Sequence, residues 1–307
     1  MPEDGAMRVV LVANTKSGRG LAERTAERFA GALASAGHEV VRLGTDESNG
    51  RLQRELVGAG AVLLAGGDGT VFHAADAAIA GAVPVYHIPC GNENLFAREF
   101  GMDRNPETLL RALRSPRVWR VDVGRVQRID PDSVNGEGRF LLMCGVGPDA
   151  RVIKRLSATR TRAIGHLAYL EPVLREAVWP RIPRVWVDVD GQRLVDGERG
   201  MLLVANSRQY ALRIDPAHWA SMTDGKLDVV FLPCGGTVGA LLWMGKLRIR
   251  LGSRSSLRYR QGAVINVRSD EPDPCQLDGD APRWPDSASP LSLRLTIEPG
   301  VLRVLVP

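Results

Sequence analysis

The sequence predicts an α/β N-terminal domain with a parallel sheet, followed by a C-terminal, mostly antiparallel β-sandwich domain. Three observations carry that prediction. Up to about residue 120, short apolar runs alternate with segments whose apolar residues recur at helical spacing, the pattern of strands joined by crossover helices. The loops that leave the apolar runs are rich in glycine and amide residues. Beyond residue 120, strand-like runs follow one another with few helices between them, and pairs such as Asp190-Gly191 and Asn135-Gly136 read as hairpin turns. The boundary falls at 120/121, giving domains 1–120 and 121–307, with the last strand or strands free to return to the first domain.

In the first domain, Arg8-Val9-Val10-Leu11-Val12-Ala13 forms a strand that ends in Asn14-Thr15-Lys16-Ser17-Gly18-Arg19-Gly20. A helix follows, with Ala22, Ala26, Phe29, Ala30 and Leu33 on one face and Gly37 beyond its end. Glu39 to Leu43 is the second strand, ending near Thr45, and a helix over about Leu52 to Val57 leads to the third, Ala61-Val62-Leu63-Leu64. Gly66-Gly67-Asp68-Gly69-Thr70 then turns the chain into a helix with Val71, Phe72, Ala75, Ala78 and Ile79. The fourth strand, Val83 to Pro89, ends in Cys90-Gly91-Asn92-Glu93-Asn94 and runs into another helix. Ligands of parallel sheets sit beyond the carboxyl ends of the strands, where all four of these loops fall.

Strands in the second domain are expected at Trp119 to Val126, Phe140 to Cys144, Arg184 to Val189, Met201 to Ala205, Leu227 to Phe231 and Ala263 to Val267. Helices are expected at Ile164 to Val178 and Val238 to Leu247, and Pro299-Gly300 reads as a turn.

Composition narrows the class. Hydrophobic content of 44% and charged content of 24% over 307 residues describe a globular protein with ample core. The start is acidic and lacks the basic-then-apolar order of a secretion signal, and no apolar run nears the roughly 20 residues of a membrane span, so a cytoplasmic protein is expected. Cys90, Cys144, Cys234 and Cys275 are far apart, without metal-ligand spacing, and read as reduced thiols. The net charge of +5 is concentrated in two stretches, Lys246 to Arg260 and Arg151 to Arg162. Such patches attract anionic membrane surface or nucleic acid, but no aromatic or zinc-finger pattern supports nucleic acid. A solvated arginine-rich face is an equally good reading.

The motif at Gly66 to Thr70 is the most specific chemical signal. Three glycines in four residues open the backbone N–H groups to a ligand, and the helix that follows points its positive end at the same place. Asp68 brings a carboxylate into this anion cradle, which is costly unless it meets a cation or a proton. The plainer alternative is a βα turn with Asp68 as a helix cap.

Taken in order, these motifs resemble the diacylglycerol kinase catalytic-domain family of bacterial lipid kinases, sphingosine kinases and ceramide kinase. The resemblance rests on Asn14 to Gly18, Gly66 to Thr70, Pro89 to Ala97, Asp122-Val123-Gly124, Gly145 to Asp149, Gly165 to Tyr169, Asn206, Asp224 to Asp228 and Gln276 to Asp280. The glycine motif is shared with NAD kinases and phosphofructokinases, and the later motifs narrow it to lipid kinases. The resemblance implies an ATP- and Mg2+-dependent kinase that phosphorylates a lipid hydroxyl, such as that of diacylglycerol or a sphingoid base. It would act at a membrane surface as a peripheral protein. Residues 1–120 would be the nucleotide-binding domain and 121–307 the lipid-substrate domain. Asn14, Ser17, Thr45, Gly66, Gly67, Asp68, Gly69, Thr70, Gly91 and Asn92 would line the nucleotide. Asp68 would orient phosphates and magnesium, and Asp280 would be the general base. Ser221, Asp224 and Lys226 would hold a magnesium ion, the first and last through backbone carbonyls. A homodimer is compatible with the sequence, though nothing in it demands one.

Three positions depart from the family pattern. Asn92 replaces a threonine, His73 a glutamate, and Asp280 a glutamate. The shorter side chain of Asp280 moves its carboxylate by about 1.5 Å, a displacement that can cost about 10²-fold where catalysis is positioning. An inactive nucleotide- or lipid-binding relative, or a soluble NAD kinase-like enzyme, are therefore the alternatives.

Overall fold

The computed structural model describes residues 6–14, 20–45, 49–129, 136–147, 182–210, 213, 215–248, 257–272, 275–282, 284 and 289–307. The chain divides into two compact units, Met1–Val121 with Pro299–Pro307, and Asp122–Glu298.

The first unit is the parallel α/β structure that the alternating runs predict. Strand β1 (Arg8–Ala13) is followed by α1 (Leu21–Ser35), β2 (Glu39–Gly44), α2 (Asn49–Glu55), β3 (Ala61–Gly66), α3 (Asp68–Gly81), β4 (Val85–Pro89), α4 (Leu95–Phe100) and α5 (Pro106–Arg114). β1 lies between β2 and β3, β4 flanks β3, and all these pairs are parallel. Every residue of β3 is buried, as helices on both faces of a parallel sheet require. α1 packs Ala22, Ala26, Phe29 and Leu33 inward, the stripe its spacing foretells. α5 was not foreseen from the sequence, although its signals are local. Asn105 caps it by accepting the Glu107 N–H at 3.1 Å, Pro106 begins it, and Leu109, Leu110 and Leu113 are buried.

The second unit is antiparallel, as its turn pairs predict. Strand β5 (Arg117–Arg128) enters it from the first unit, followed by β6 (Glu137–Phe140), β7 (Met143–Val146), β8 (Arg184–Val189), β9 (Gln192–Ala205) and β10 (Leu227–Pro233). Helix α6 (Thr237–Arg248), β11 (Arg258–Gly262), β12 (Val264–Ser269), β13 (Cys275–Leu277) and β14 (Ser292–Val306) complete the chain. The long β9 pairs antiparallel with β7, β8 and β10. β10 continues to β11, β8 to β12, and β12 to β14. Asp190 and Gly191, at φ 48° and 78°, make the β8–β9 hairpin, the positive φ pair that a two-residue turn of this hand needs.

Two expectations are corrected here. Residues 140–144 form no single strand: the ladder breaks at Leu141-Leu142, because the N–H groups of residues 141–143 are taken by a carboxylate from another loop. Pro299-Gly300 is no turn but lies inside β14, where Gly300 has φ 61° and the chain leaves the second unit for the first. The expected helix over residues 164–178, and Asn135 of the expected turn, fall outside the described residues.

The returning segment is core to the first unit. Leu302 and Val304 are fully buried, and Val304 pairs in parallel with Val85 of β4. Replacing Leu302 by alanine is expected to lower the stability of this unit by about 2–5 kcal/mol, read as a drop in the urea midpoint. An unchanged midpoint would show that the segment adds nothing to that core.

Candidate functional site

In the first unit, the carboxyl ends of β1, β3 and β4 bring most of the expected nucleotide residues together. β3 ends at Gly66, and α3 begins at Asp68, so Asp68, Gly69 and Thr70 form the first helical turn and Gly67 is the residue before it. The N–H groups of a first turn have no acceptor inside the helix. Thr70 directs its own back to the Gly67 carbonyl at 2.9 Å.

The glycines here serve the protein's own packing before any ligand. A Cβ on Gly66 would lie 2.1 Å from the Thr70 hydroxyl, and one on Gly91 would lie 2.6 Å from the Gly67 Cα. The turns after β3 and β4 therefore pass backbone against backbone. Asn94 holds the second turn in shape: its Oδ1 accepts the Gly91 N–H at 2.8 Å and its amide donates to the Gly91 carbonyl at 2.8 Å. This leaves Asn94, at φ 50°, unable to cap α4 with its side chain.

Asp68 supplies that cap from the neighbouring loop. Its Oδ1 accepts the Phe96 N–H at 2.9 Å, in the first turn of α4. It does not cap its own helix, whose preceding residue is Gly67 and has no side-chain bond. Asp68, itself half-exposed, thus fastens the β3–α3 turn to the segment after β4.

Asn14 follows β1 and donates its amide to the Thr70 hydroxyl at 3.3 Å, while Thr70 itself is 5% exposed. The threonine hydroxyl is therefore part of the frame. Thr45 is exposed after β2, its N–H bound to the Ala13 carbonyl at 3.3 Å, and Asn92 is exposed beside Gly91. Ser17 lies outside the described residues. His73 is exposed on α3 and stacks at a tilt on Phe72, with ring centres 5.2 Å apart.

One residue that sequence reasoning missed lies beneath the turn. His87 of β4 is fully buried, with Nε2 3.0 Å from the Gly66 carbonyl. Burial holds its pKa below the ordinary value, against the opposing pull of the Gly66 carbonyl and the Asp68 charge. A histidine in an otherwise apolar strand, Val-Tyr-His-Ile-Pro, was the signal available.

In the second unit, Asp280 closes a tight turn from Leu277. The Leu277 and Asp280 backbones exchange two hydrogen bonds of 2.9 Å, and Asp278 and Gly279 between them have φ 51° and 85°. Asp278 anchors the turn: its carboxylate accepts the N–H groups of Leu141, Leu142 and Met143 at 2.6, 2.8 and 2.9 Å. Asp280 is half-buried beside it. The same bend is held from the other side by Asn206, fully buried, whose amide donates to the carbonyls of Asp122 and Leu141 at 2.8 Å each.

The carboxylate of Asp122, 3% exposed, accepts the Gly225 N–H at 2.7 Å and so fixes the turn carrying Ser221, Asp224 and Lys226. On that turn Asp224 is exposed, accepting the Lys226 N–H at 3.1 Å with one oxygen and the Gln261 amide at 3.2 Å with the other. Each carboxylate oxygen keeps a lone pair. An exposed carboxylate beside turn carbonyls is an oxygen donor set that suits a hard cation. Among the described residues there is no cluster of three or more His, Cys, Asp or Glu side chains placed for a metal.

Lys246 of α6 lies 5.0 Å over the Trp243 ring, Trp243 donates to the Pro233 carbonyl at 2.8 Å, and Leu242 is 60% exposed. Arg258 is paired with Glu198. Arg151 to Arg162, Arg250 and Arg254 lie outside the described residues. No described helix is long and apolar enough to cross a membrane.

Comparison with known proteins agrees with this architecture. Residues 8–126 match the model of the diacylglycerol kinase catalytic domain. Over 98% of its length the chain is 26% identical to a protein named diacylglycerol kinase from Mycobacterium tuberculosis (strain ATCC 25618 / H37Rv), covering 95% of that protein. The fold is that of a putative diacylglycerol kinase from Bacillus anthracis str. Sterne, at 18% identity and a TM-score of 0.70, with 98% of each chain covered. Yeast NADH kinase complexed with NADH shares the fold more distantly, at 10% identity and a TM-score of 0.59, covering all of this chain and 88% of that one. Residues 8–126 thus resemble a diacylglycerol kinase catalytic domain, and the chain over nearly its full length is similar to proteins named diacylglycerol kinase.

The Asp68 bond separates two substitutions. Asp68→Asn keeps an oxygen for the Phe96 N–H and should unfold within about 0.5 kcal/mol of the parent, whereas Asp68→Ala should lose about 1 kcal/mol. Gly91→Ala, driven against the Gly67 backbone, should lose about 1–3 kcal/mol. Denaturant midpoints check all three, and equal midpoints for the two Asp68 variants would remove the carboxylate from its capping role.

Proposed function

We propose that the chain is an ATP-dependent lipid kinase that transfers the γ-phosphate to a lipid hydroxyl, such as that of diacylglycerol or a sphingoid base, as a peripheral protein at a membrane surface. The match of residues 8–126 to the diacylglycerol kinase catalytic domain supports a kinase using ATP. The observation that carries the reading is the rigid frame at the strand ends, in which Asn14, Gly66 to Thr70 and Gly91 are locked together around the start of a 14-residue helix.

That frame fits a nucleotide's phosphates. It offers first-turn N–H groups at the positive end of α3, with no side chain on Gly67 to cover them. Asn14 and Thr70 keep the turn in register with β1. Asp68, tied to Phe96 by one oxygen, presents a fixed negative charge beside the phosphates and orients the cation that accompanies them. Asp280 takes the proton of the attacking hydroxyl. The three N–H bonds that Asp278 accepts hold the turn and so fix the point from which this side chain reaches. In the second unit, Asp224 and the carbonyls of Ser221 and Lys226 would hold magnesium, Asp224 standing exposed on a turn that its bond to the Lys226 N–H helps to shape. Magnesium, when bound, neutralises phosphate charge and steadies oxygen ligands.

Purified protein with γ-labelled ATP, magnesium and mixed micelles of a lipid panel tests this directly. Label is expected in one lipid class, with Asp280→Asn reducing kcat by about 10²–10⁴-fold and Asp68→Asn reducing it comparably at unchanged stability. Undiminished label in Asp280→Asn would remove it as the base. Retained ATP binding with no labelled lipid would make the chain a nucleotide-binding relative instead.

A further inference from the structure

The Gly66 carbonyl at the end of β3 accepts two hydrogen bonds, from the Cys90 N–H at 2.7 Å and from His87 Nε2 at 3.0 Å. Two donors occupy both lone pairs of that oxygen. A trans peptide is planar, with its N–H pointing opposite to its C=O, and the structure contains no cis peptide bond among the described residues. Holding the Gly66 carbonyl toward the β4 side therefore aims the Gly67 N–H away from β4, immediately ahead of Asp68 and the first turn of α3.

His87 is fully buried and its other nitrogen, Nδ1, has no hydrogen-bond partner among the described residues. A buried acceptor left bare costs free energy, and an apolar residue at this place in β4 would avoid that cost. The side chain's only hydrogen bond among the described residues is the one to Gly66. With Nδ1 bare, the ring is neutral and Nε2 carries the proton it donates. Its ring orientation is further set by Phe96, with centroids 6.2 Å apart, in the helix that Asp68 caps.

We infer that His87 is a positioning residue for phosphate binding: by donating Nε2–H to the Gly66 carbonyl, it orients the Gly66–Gly67 peptide so that the Gly67 N–H faces the nucleotide's phosphate. This inference rests on the nucleotide reading of the β3–α3 turn. It concerns a donor on the protein backbone, and His87 itself touches no substrate.

The test compares His87→Leu, which removes the donor and fills the space with apolar atoms, with His87→Gln, whose amide nitrogen sits near the position of Nε2. Both are measured for thermal unfolding, for ATP affinity, for the split between KM for ATP and kcat, and for the amide resonance of Gly67 in glycine-labelled protein. His87→Leu is expected to weaken ATP binding and raise KM for ATP about tenfold, with kcat nearly unchanged and the Gly67 resonance shifted. His87→Gln should recover both to within about threefold. Parent-like ATP binding and an unmoved Gly67 resonance in His87→Leu would overturn the inference, as would equal losses in both variants. If the parent protein binds no ATP, the nucleotide reading fails, and the inference that depends on it fails with it. A Gly67 resonance that shifts in His87→Leu alone would then mark the hydrogen bond as a purely structural one.

Discussion

The site in the first unit depends on one close approach, the backbone of Gly67 against that of Gly91. β3 and β4 are neighbouring parallel strands, so the turns that leave them emerge side by side. With a Cβ on Gly91 only 2.6 Å from the Gly67 Cα, the turns can lie together only if the second is glycine. The rest follows from keeping them there. Asn94 closes the Gly91 turn on itself, which forces Asn94 into a left-handed conformation and away from its own helix. Asp68 then provides the missing cap across the gap. A carboxylate that looks like chemistry in the sequence is also a fastener between two loops.

The second unit solves a similar problem with a different device. Asp278 and Asp280 stand two residues apart, and the sequence alone does not distinguish their tasks. The turn does. Positive φ at its two central residues suits Asp278 and Gly279, so Asp280 is the residue that closes the turn opposite Leu277. Asp278 then points back to three N–H groups released by the break between β6 and β7. Break and turn depend on each other: without the carboxylate, residues 141–143 would have unpaired donors, and without the break Asp278 would have nothing to bind.

What the sequence made legible is what burial and local conformation control. The four parallel strands of the first unit read clearly, because a strand covered on both faces must be apolar throughout. Hairpin Asp190-Gly191 and helix α6 read clearly for local reasons. Helix α5 was missed despite local signals, but the two misread segments share a cause, for each depends on a distant partner. Residues 140–144 are apolar enough for one strand, and only Asp278, 137 residues away in sequence from Leu141, divides them. Pro299-Gly300 has the composition of a turn, yet the strand continues because Leu302 and Val304 are needed in another unit's core. At the site, Gly66 to Thr70, Asn14 and Gly91 are gathered as the motif order suggests, while His87 shows in the sequence only as a histidine in an apolar strand, and its one side-chain bond, to a backbone carbonyl, does not.

A common economy connects the two units. Most polar side chains at the candidate sites hold backbone: Asn14 reaches another frame residue, Thr70, and Asn94, Asp68, His87, Asp278, Asn206 and Asp122 bind main-chain N–H or C=O groups. Phosphoryl transfer asks for little covalent help and much positioning, so a protein built for it gains more from fixing its amide donors than from adding further charged contacts. A motif of amides and carboxylates in such a chain is therefore read best as scaffolding first. Asp280 follows the same logic: the three N–H bonds that Asp278 accepts steady the turn that Asp280 closes, so its carboxylate stands on a fixed mount.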